Sequence, residues 1–437
     1  MQTFSFRQVR RRFTCRVVES LVIVLLVALS TTPMRAQFKN SSPERQELQD
    51  PPERQKQSAN WNAAVSRART AVSTPYVVLG YAELGMHCMN QDFSEICILP
   101  PFNTLRAQVI RRGEEPSLVT TGVNVRYAFP GVQQYSLPSN TVSSSKTNFW
   151  TYAPALFKKP LPHDIGLAGT GLSGSMNPSG NNDWRVLGIP LTPIDDMGNF
   201  NPYQLAKIDV LVGKTVRAST HAVVPVSWDI NCNLCHNTPG ISVAQDILEL
   251  HDELHNTDLV HSKPVLCAGC HADPALGTIG VAGVKSFSQA MHGAHANRMA
   301  PVAHLGNTCY ACHPTNCQRD VHFQHNITCV DCHGDMKAVA NPGRIPWVSE
   351  PTCGSCHSKI NPKFQYEEPG KLFKESRGHG GVHCAACHGP QHAIGPAVTD
   401  ADNVQSLEKQ GSIGTIRKCT VCHTQVPEEP FFHSLDD

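Results

Sequence analysis

Fourteen of the eighteen cysteines in this 437-residue chain fall into Cys-x-x-Cys pairs, and each pair is followed at once by histidine. The units are Cys232/Cys235/His236, Cys267/Cys270/His271, Cys309/Cys312/His313, Cys329/Cys332/His333, Cys353/Cys356/His357, Cys384/Cys387/His388 and Cys419/Cys422/His423. A short turn of this form presents two sulfurs to one edge of a planar ligand and folds an imidazole beneath it. That suits covalent haem attachment, in which the thiols add across two vinyl groups and the histidine binds iron from the proximal side. Paired Cys-x-x-Cys units also hold zinc, but zinc does not require a histidine directly after each pair. A thioredoxin-like site uses one pair beside a βαβ pattern, not seven in series. The expected cofactor is seven covalently attached haem c groups.

Histidine supplies the second half of the pattern. Three histidines lie in the first 227 residues and nineteen in the last 210. Seven of the nineteen are the proximal ligands above. The remaining twelve exceed the number of irons, and neutral imidazole suits the distal position of low-potential haem iron. The distal candidates are His251, His255, His292, His295, His322, His379 and His392. His251 and His255 are four apart and share a helix face, so that helix offers ligands to two haems. His292 and His295 in QAMHGAHA are three apart and read the same way. His322 precedes Cys329 by seven residues. His379 and His392 flank Cys384–His388 and are expected on other haems, with Gly380, Gly381 and Gly389 permitting the turns. His383 abuts Cys384, where a thioether limits its freedom. His433 in PFFHSL can fold back onto the last haem or reach another subunit. His261, His304 and His325 are reserves.

These sites set demands on the rest of the chain. Seven haems between Cys232 and His423 mean about one per 27 residues, so porphyrin faces must replace much of the usual side-chain core. The expected fold is an all-β, sandwich-like domain followed by a loop-rich, mostly α multihaem domain with little regular structure. Residues 61–228 carry the β pattern, with strands expected at Tyr76–Ala82, Thr104–Ile110, Gly122–Phe129, Lys207–Val212 and His221–Trp228. Residues 229–437 carry the haems, and helices are expected at Ser242–His255, opened by a Ser242/Gln245 capping box, and at Ser286–Asn297.

Residues 1–36 read as a secretory signal: Arg7 and Arg10–Arg12 precede the apolar run Leu21–Leu29, and small or polar residues lead to Ala36. The run is too short to span a bilayer, and no later segment is apolar enough to do so. Cys15 leaves with the signal. Residues 37–60 are polar and proline-dotted, a flexible linker. With 37 basic against 36 acidic side chains, nothing argues for nucleic acid or an anionic membrane surface.

Seven Cys-x-x-Cys-His units with interleaved histidines, including MHGAHA and HGGVHCAACHG, resemble the multihaem c-type cytochromes across residues 229–437. The resemblance implies closely spaced haems that conduct electrons between a donor and an acceptor protein outside the cytoplasm, in the periplasm or at the cell surface. A membrane quinol-oxidising complex and an outer-surface complex are the partner classes it suggests. Glu83–Ile110, with its LGMHCM core, resembles a segment that recurs beside haem domains in exported bacterial proteins. Within it, Met86, His87, Cys88 and Met89 form a soft-ligand cluster suited to copper. The preferred reading pairs Cys88 with Cys97 as a disulfide in an oxidising compartment, leaving Cys317 as the odd thiol.

Three functions fit these features. If every iron has two histidine ligands, outer-sphere electron transfer remains and no catalytic residue is assigned; this is the preferred reading. A multihaem oxidoreductase acting on a nitrogen or sulfur oxyanion needs one open haem, and no Cys-x-x-Cys-Lys unit marks one. A subunit of a haem-wired filament or surface complex would take a distal histidine from its neighbour.

Overall fold

The computed structural model describes residues 74–299, 308–314, 316, 320–360, 362, 364–428 and 433. The expected signal and linker, Cys15, His304 and Cys317 lie outside the described residues.

Among the described residues there are eleven strands: β1 Tyr76–Ala82, β2 His87–Cys88, β3 Ile96–Cys97, β4 Asn103–Arg111, β5 Ser117–Leu118, β6 Asn124–Ala128, β7 Gly174–Pro178, β8 Trp184–Ile189, β9 Tyr203–Val212, β10 Thr215–Ser227 and β11 Val265–Leu266. Nine form one sheet in the order β1-β4-β8-β7-β6-β9-β10-β2, with β5 on the flank of β4. Only the β10–β2 edge of that sheet is parallel. A separate parallel pair joins β11 to β3.

Alternation along β1 shows what the sheet is for. Val78 and Ala82 are buried, Val78 in the main core with Leu105, Ala107, Val109, Ile208, Val224 and the rings of Phe93, Phe149 and Trp150. Val77, Leu79 and Tyr81 point the other way and are just as buried, against Ala385, Ala386, Ile416 and Val421. A strand with period-2 alternation and two apolar faces must be covered on both sides. Here the second cover comes from the segments that carry the sixth and seventh Cys-x-x-Cys-His units.

The sheet curls until β1 lies over β9 and β10. A Cβ on Gly80 would collide with Ile208 Cδ1 and stand 3.2 Å from the Ala222 Cβ. Gly80 therefore marks the closest approach of the curl, and its amide donates to Gln405 Oε1 at 2.7 Å.

The expected fold class needs correction. Among the described residues the strands make one curled, open sheet, a half-barrel and not a sandwich, with α1, Phe149–Phe157, supplying rings to its core. Nor are the residues after 229 mostly helical. Two helices near the expected positions do form: α2, Val243–His255, with Ser242 accepting from the Gln245 amide, and α3, Phe287–His295, with a reciprocal Ser286/Gln289 capping box. Among the described residues five helices have only four or five residues, the first four being α4 Val321–Gln324, α5 Cys329–His333, α6 Met336–Val339 and α7 Cys353–His357. After them come α8, Cys384–His388, and α9, Asp400–Gln410. Glycines stop two of the single-turn helices: Gly334 after His333 and Gly389 after His388 both hold positive φ, which glycine adopts without steric cost. No alternation or helical stripe anticipated α9; apart from Val404, its buried residues include Asn403 and Ser406.

Gly80→Val tests the curl. Overpacking against Ile208 is expected to cost about 1–3 kcal/mol, read as a lowered denaturation midpoint in the haem-loaded protein, with haem content unchanged. An unaltered midpoint would show that β1 does not depend on that approach.

Candidate haem sites

Each Cys-x-x-Cys-His unit closes one helical turn. His236, His271, His313 and His423 donate their amides to the carbonyl of the first cysteine, at 2.9–3.0 Å, and the other three units are the short helices α5, α7 and α8. One turn brings both sulfurs to one side and the imidazole next to them.

In four of the seven units the chain covers the two sulfurs unequally. Cys235 is exposed while its partner Cys232 is half-buried, and Cys270, Cys332 and Cys356 are exposed in the same way. The reason at Cys235 is local. Asn233 and the run Asn237–Gly240 around it are themselves exposed, so no neighbouring side chain folds over the sulfur. Cys235 still lies within electrostatic reach of Cys312 of the third unit. Cys387 and Cys422 show the opposite case, since both pack against the apolar cluster beneath β1.

All seven proximal rings face a second histidine. Numbering the sites along the chain, the centroid separations are 6.3 Å for His236–His295 (site 1), 6.4 Å for His271–His251 (site 2) and 6.2 Å for His313–His292 (site 3). They are 5.9 Å for His333–His392 (site 4), 6.0 Å for His357–His322 (site 5), 6.0 Å for His388–His433 (site 6) and 5.9 Å for His423–His379 (site 7). A metal–imidazole nitrogen distance is about 2.0–2.1 Å and the ring centre lies about 1.1 Å behind that nitrogen, so two imidazoles on opposite faces of one iron stand roughly 6.2 Å apart. The pairs fit a haem iron between them. Among the described residues, no three or more His, Cys, Asp or Glu side chains gather around a common point.

The rings are also turned correctly. At least nine of the fourteen hold Nδ1 against a protein oxygen, leaving Nε2 for the gap. His271 Nδ1 meets Lys285 O at 2.8 Å, His292 meets Ser288 O at 2.8 Å, His295 meets Met291 O at 2.7 Å, His423 meets Glu114 O at 2.8 Å and His433 meets Gln365 O at 2.8 Å. Hydroxyls serve His251 (Thr257 Oγ1, 2.9 Å) and His388 (Thr415 Oγ1, 3.3 Å). Carboxylates serve His322 (Asp320 Oδ2, 3.0 Å) and His333 (Glu350 Oε1, 3.2 Å). Such contacts fix the tautomer and orientation of a ligand ring. Burial pushes His313 and His388 down to about 4, so both are neutral donors near pH 7.

Shared elements order the sites. Helix α2 carries His251 of site 2 and also Asp246, whose carboxylate lies 3.8 Å from His236 Nδ1 of site 1. Helix α3 carries His295 of site 1 and His292 of site 3, separated by about 4.5 Å of helix rise. Asn231 binds both Ala311 and Tyr310 carbonyls, tying the first unit to the third. His313 of site 3 lies in the electrostatic reach of His333 and His392 of site 4. Cys332 similarly neighbours Cys356, Cys353 neighbours Cys384, and Cys387 neighbours Cys422. The sites form a file, 2-1-3-4-5-6-7.

Six of the seven expected distal histidines sit opposite a proximal ring. The exception is His255, which is exposed and lies 4.9 Å from His251 instead of facing an iron position. His433 takes the seventh place, at site 6 and not at the last unit. His383 is fully buried in another role: Nδ1 accepts from Tyr81 Oη at 2.8 Å, Nε2 donates to Asn181 O at 3.0 Å, and its amide donates to Gln108 Oε1 at 2.7 Å. His261 is exposed beside Asp258, and His325 is exposed at the end of α4.

Two of the four soft-ligand candidates in the LGMHCM segment have other partners. His87 is buried with Nε2 on Pro100 O, and Met89 is buried in the main core. Cys88 and Cys97, the expected disulfide pair, stand on β2 and β3, strands that pair with β10 and β11 in different sheets. What the segment does supply is Gly85. A Cβ there would run into His392 Nδ1, and His392 itself holds φ 70°, a left-handed conformation costly for a non-glycine residue.

Sequence reasoning missed the residues that aim the rings, above all Glu114, Lys285, Thr415, Gln365 and Glu350. Glu350, seventeen residues after His333, is the one with a readable signal, being an acid among few near a proximal ligand.

Comparison with protein families, with curated proteins and with solved structures finds no match for this chain.

Single axial replacements follow from the pairing. His379→Ala, His392→Ala and His433→Ala should each keep seven attached haems and convert one low-spin iron to high spin, at sites 7, 4 and 6. His255→Ala should convert none. Electron paramagnetic resonance (EPR) reads the outcome, and a high-spin signal from the His255 variant would reassign site 2.

His383 makes a prediction about pH. Burial lowers its pKa, with Asp183 opposing, so the folded chain keeps the ring neutral while the unfolded chain protonates it below about 6.5. Its contribution to stability is present above that pH and is lost as pH falls towards the depressed folded value. His383→Gln should flatten the fall of the thermal midpoint below about pH 6.5, and an identical pH profile in wild type and variant would refute it.

Proposed function

We propose that this chain is an exported heptahaem c-type cytochrome that carries electrons along a file of bis-histidine haems. The observation that supports it best is the pairing of every proximal histidine with a second histidine at the spacing an iron requires. Haem, when bound, supplies one-electron iron chemistry. The paired histidines would hold each iron and keep water and substrate from binding it, and the shared elements space the sites along one path.

This pairing favours a carrier over an oxidoreductase, since an open haem would leave a proximal ring without a facing partner. It also weighs against a filament subunit completed by its neighbour, because all seven pairs come from one chain. Haem attachment through Cys-x-x-Cys-His supports a location outside the cytoplasm, and electron donor and acceptor proteins are the partners proposed. Among the described residues, no helix is long and apolar enough to cross a membrane.

The test is mass and spin state. The purified protein should carry seven haem masses beyond its polypeptide, and its EPR spectrum should contain only low-spin ferric iron. Fewer than six haems in a matured sample, or one full equivalent of high-spin iron, would overturn the reading.

A further inference from the structure

We propose that Glu350 and Asp320 are positioning residues that make sites 4 and 5, in the middle of the file, the pair of lowest potential. The inference rests on the haem reading above. Of the nine defined Nδ1 contacts, seven end on neutral carbonyl or hydroxyl oxygens; only His333 and His322 end on carboxylates. A carboxylate that accepts Nδ1–H makes the imidazole a stronger donor, which stabilises ferric over ferrous iron and lowers the potential.

Both carboxylates are built in. The Glu350 side chain is 18% exposed and is clamped by the Arg344 guanidinium on the same oxygen that meets His333. Its other oxygen is buried with no hydrogen-bond partner, a cost that a purely structural contact would not need to bear. The Asp320 side chain is 16% exposed. It caps α4 by accepting from the His322 and Phe323 amides while its second oxygen meets His322 Nδ1. Low exposure leaves the fields of both groups little screened.

The competing carboxylates are weaker. Asp246 stands beyond hydrogen-bond reach of His236 and gives its other oxygen to the Thr238 amide. Asp252 makes no direct hydrogen bond to His251: its carboxylate takes the Thr257 hydroxyl that meets His251 Nδ1 and the amides of Leu259 and Val260.

Redox titration of the full haem-loaded protein, followed by absorption and EPR at stepped potentials, tests this. Glu350→Gln and Asp320→Asn keep an acceptor oxygen and remove the charge. Each should raise one of the two lowest midpoint potentials while all seven irons stay low-spin. His392→Ala and His322→Ala identify which transitions belong to sites 4 and 5. Arg344→Gln should shift site 4 the opposite way, downwards, because the carboxylate is then left to His333 alone; this variant decides the matter if Glu350→Gln fails to accumulate. Unmoved lowest potentials, or shifts belonging to other sites, would overturn the proposal while seven low-spin haems leave the function intact. Loss of attached haem in the unaltered protein would instead sink the function itself.

Discussion

Two imidazoles facing each other across about 6 Å do not touch, and a gap of that size lined by ring nitrogens is not a stable feature of a bare polypeptide core. Seven such gaps organise the described residues after 229. Each needs a planar group to fill it, and the chain around them is correspondingly poor in large buried side chains. Its buried apolar residues are mostly alanines, such as Ala268, Ala311, Ala385, Ala386, Ala393 and Ala397. Small residues allow backbone to approach a flat face closely, whereas leucines there would compete for the same space.

A half that lacks its own side-chain core needs a rigid neighbour, and the curled sheet is that neighbour. Tyr81 and Gln108 of β1 and β4 hold His383, the residue directly before the sixth unit. The turn after β4 reaches the seventh: Gly113 O accepts from the Thr424 amide, Arg112 binds Thr420 O, and Glu114 O aims His423. At the other end of β1, Glu83 O accepts from Gln391 beside His392, and the Glu83 side chain joins Arg106 and Lys374. Arg106 bridges Glu83 and Asp183 in a buried triad. Breaking a buried group of this kind leaves an uncompensated charge, which costs about 3–5 kcal/mol. The β-rich half thus acts on ring orientation at sites 4 and 7, not only on solubility or docking.

The seven Cys-x-x-Cys-His turns were legible because they are local: five residues define a turn, two sulfurs and a ring. The facing histidines were legible in part because helical spacing is local as well. His292 and His295 separate onto two sites as a three-residue offset predicts. His251 and His255 do not, because α2 lies with Asp246 and His251 towards the sites and ends at His255 in solvent, capped by the left-handed Asn256. His433 had no periodic context, and its role depends on Phe364 stacking on the ring and Gln365 O holding Nδ1, contacts nearly seventy residues distant in sequence. Five strands were readable from β-branched runs, with β1 at its observed bounds. Their assembly into one curled sheet was not, because the curl depends on the close approach at Gly80 and on the rings that α1 inserts.

The order of sites was beyond sequence reasoning for a related cause. Units three to seven follow the chain, since short segments join them and each next unit falls beside the last. Units one and two are exchanged because α2 and α3 each serve two sites at once, and a helix that spans two histidine pairs sets their neighbours by its own rise, not by which cysteine comes first. Lys285 O then holds His271, and Val281 bonds back to Cys270, so the second unit is turned outwards to the end of the file. The two carboxylate-held histidines fall where the order returns to that of the chain. Asp320, His322 and the fourth unit occupy one short stretch, so a single segment supplies a distal ring to site 5, a proximal ring to site 4 and one of the two charges that set them apart from the rest.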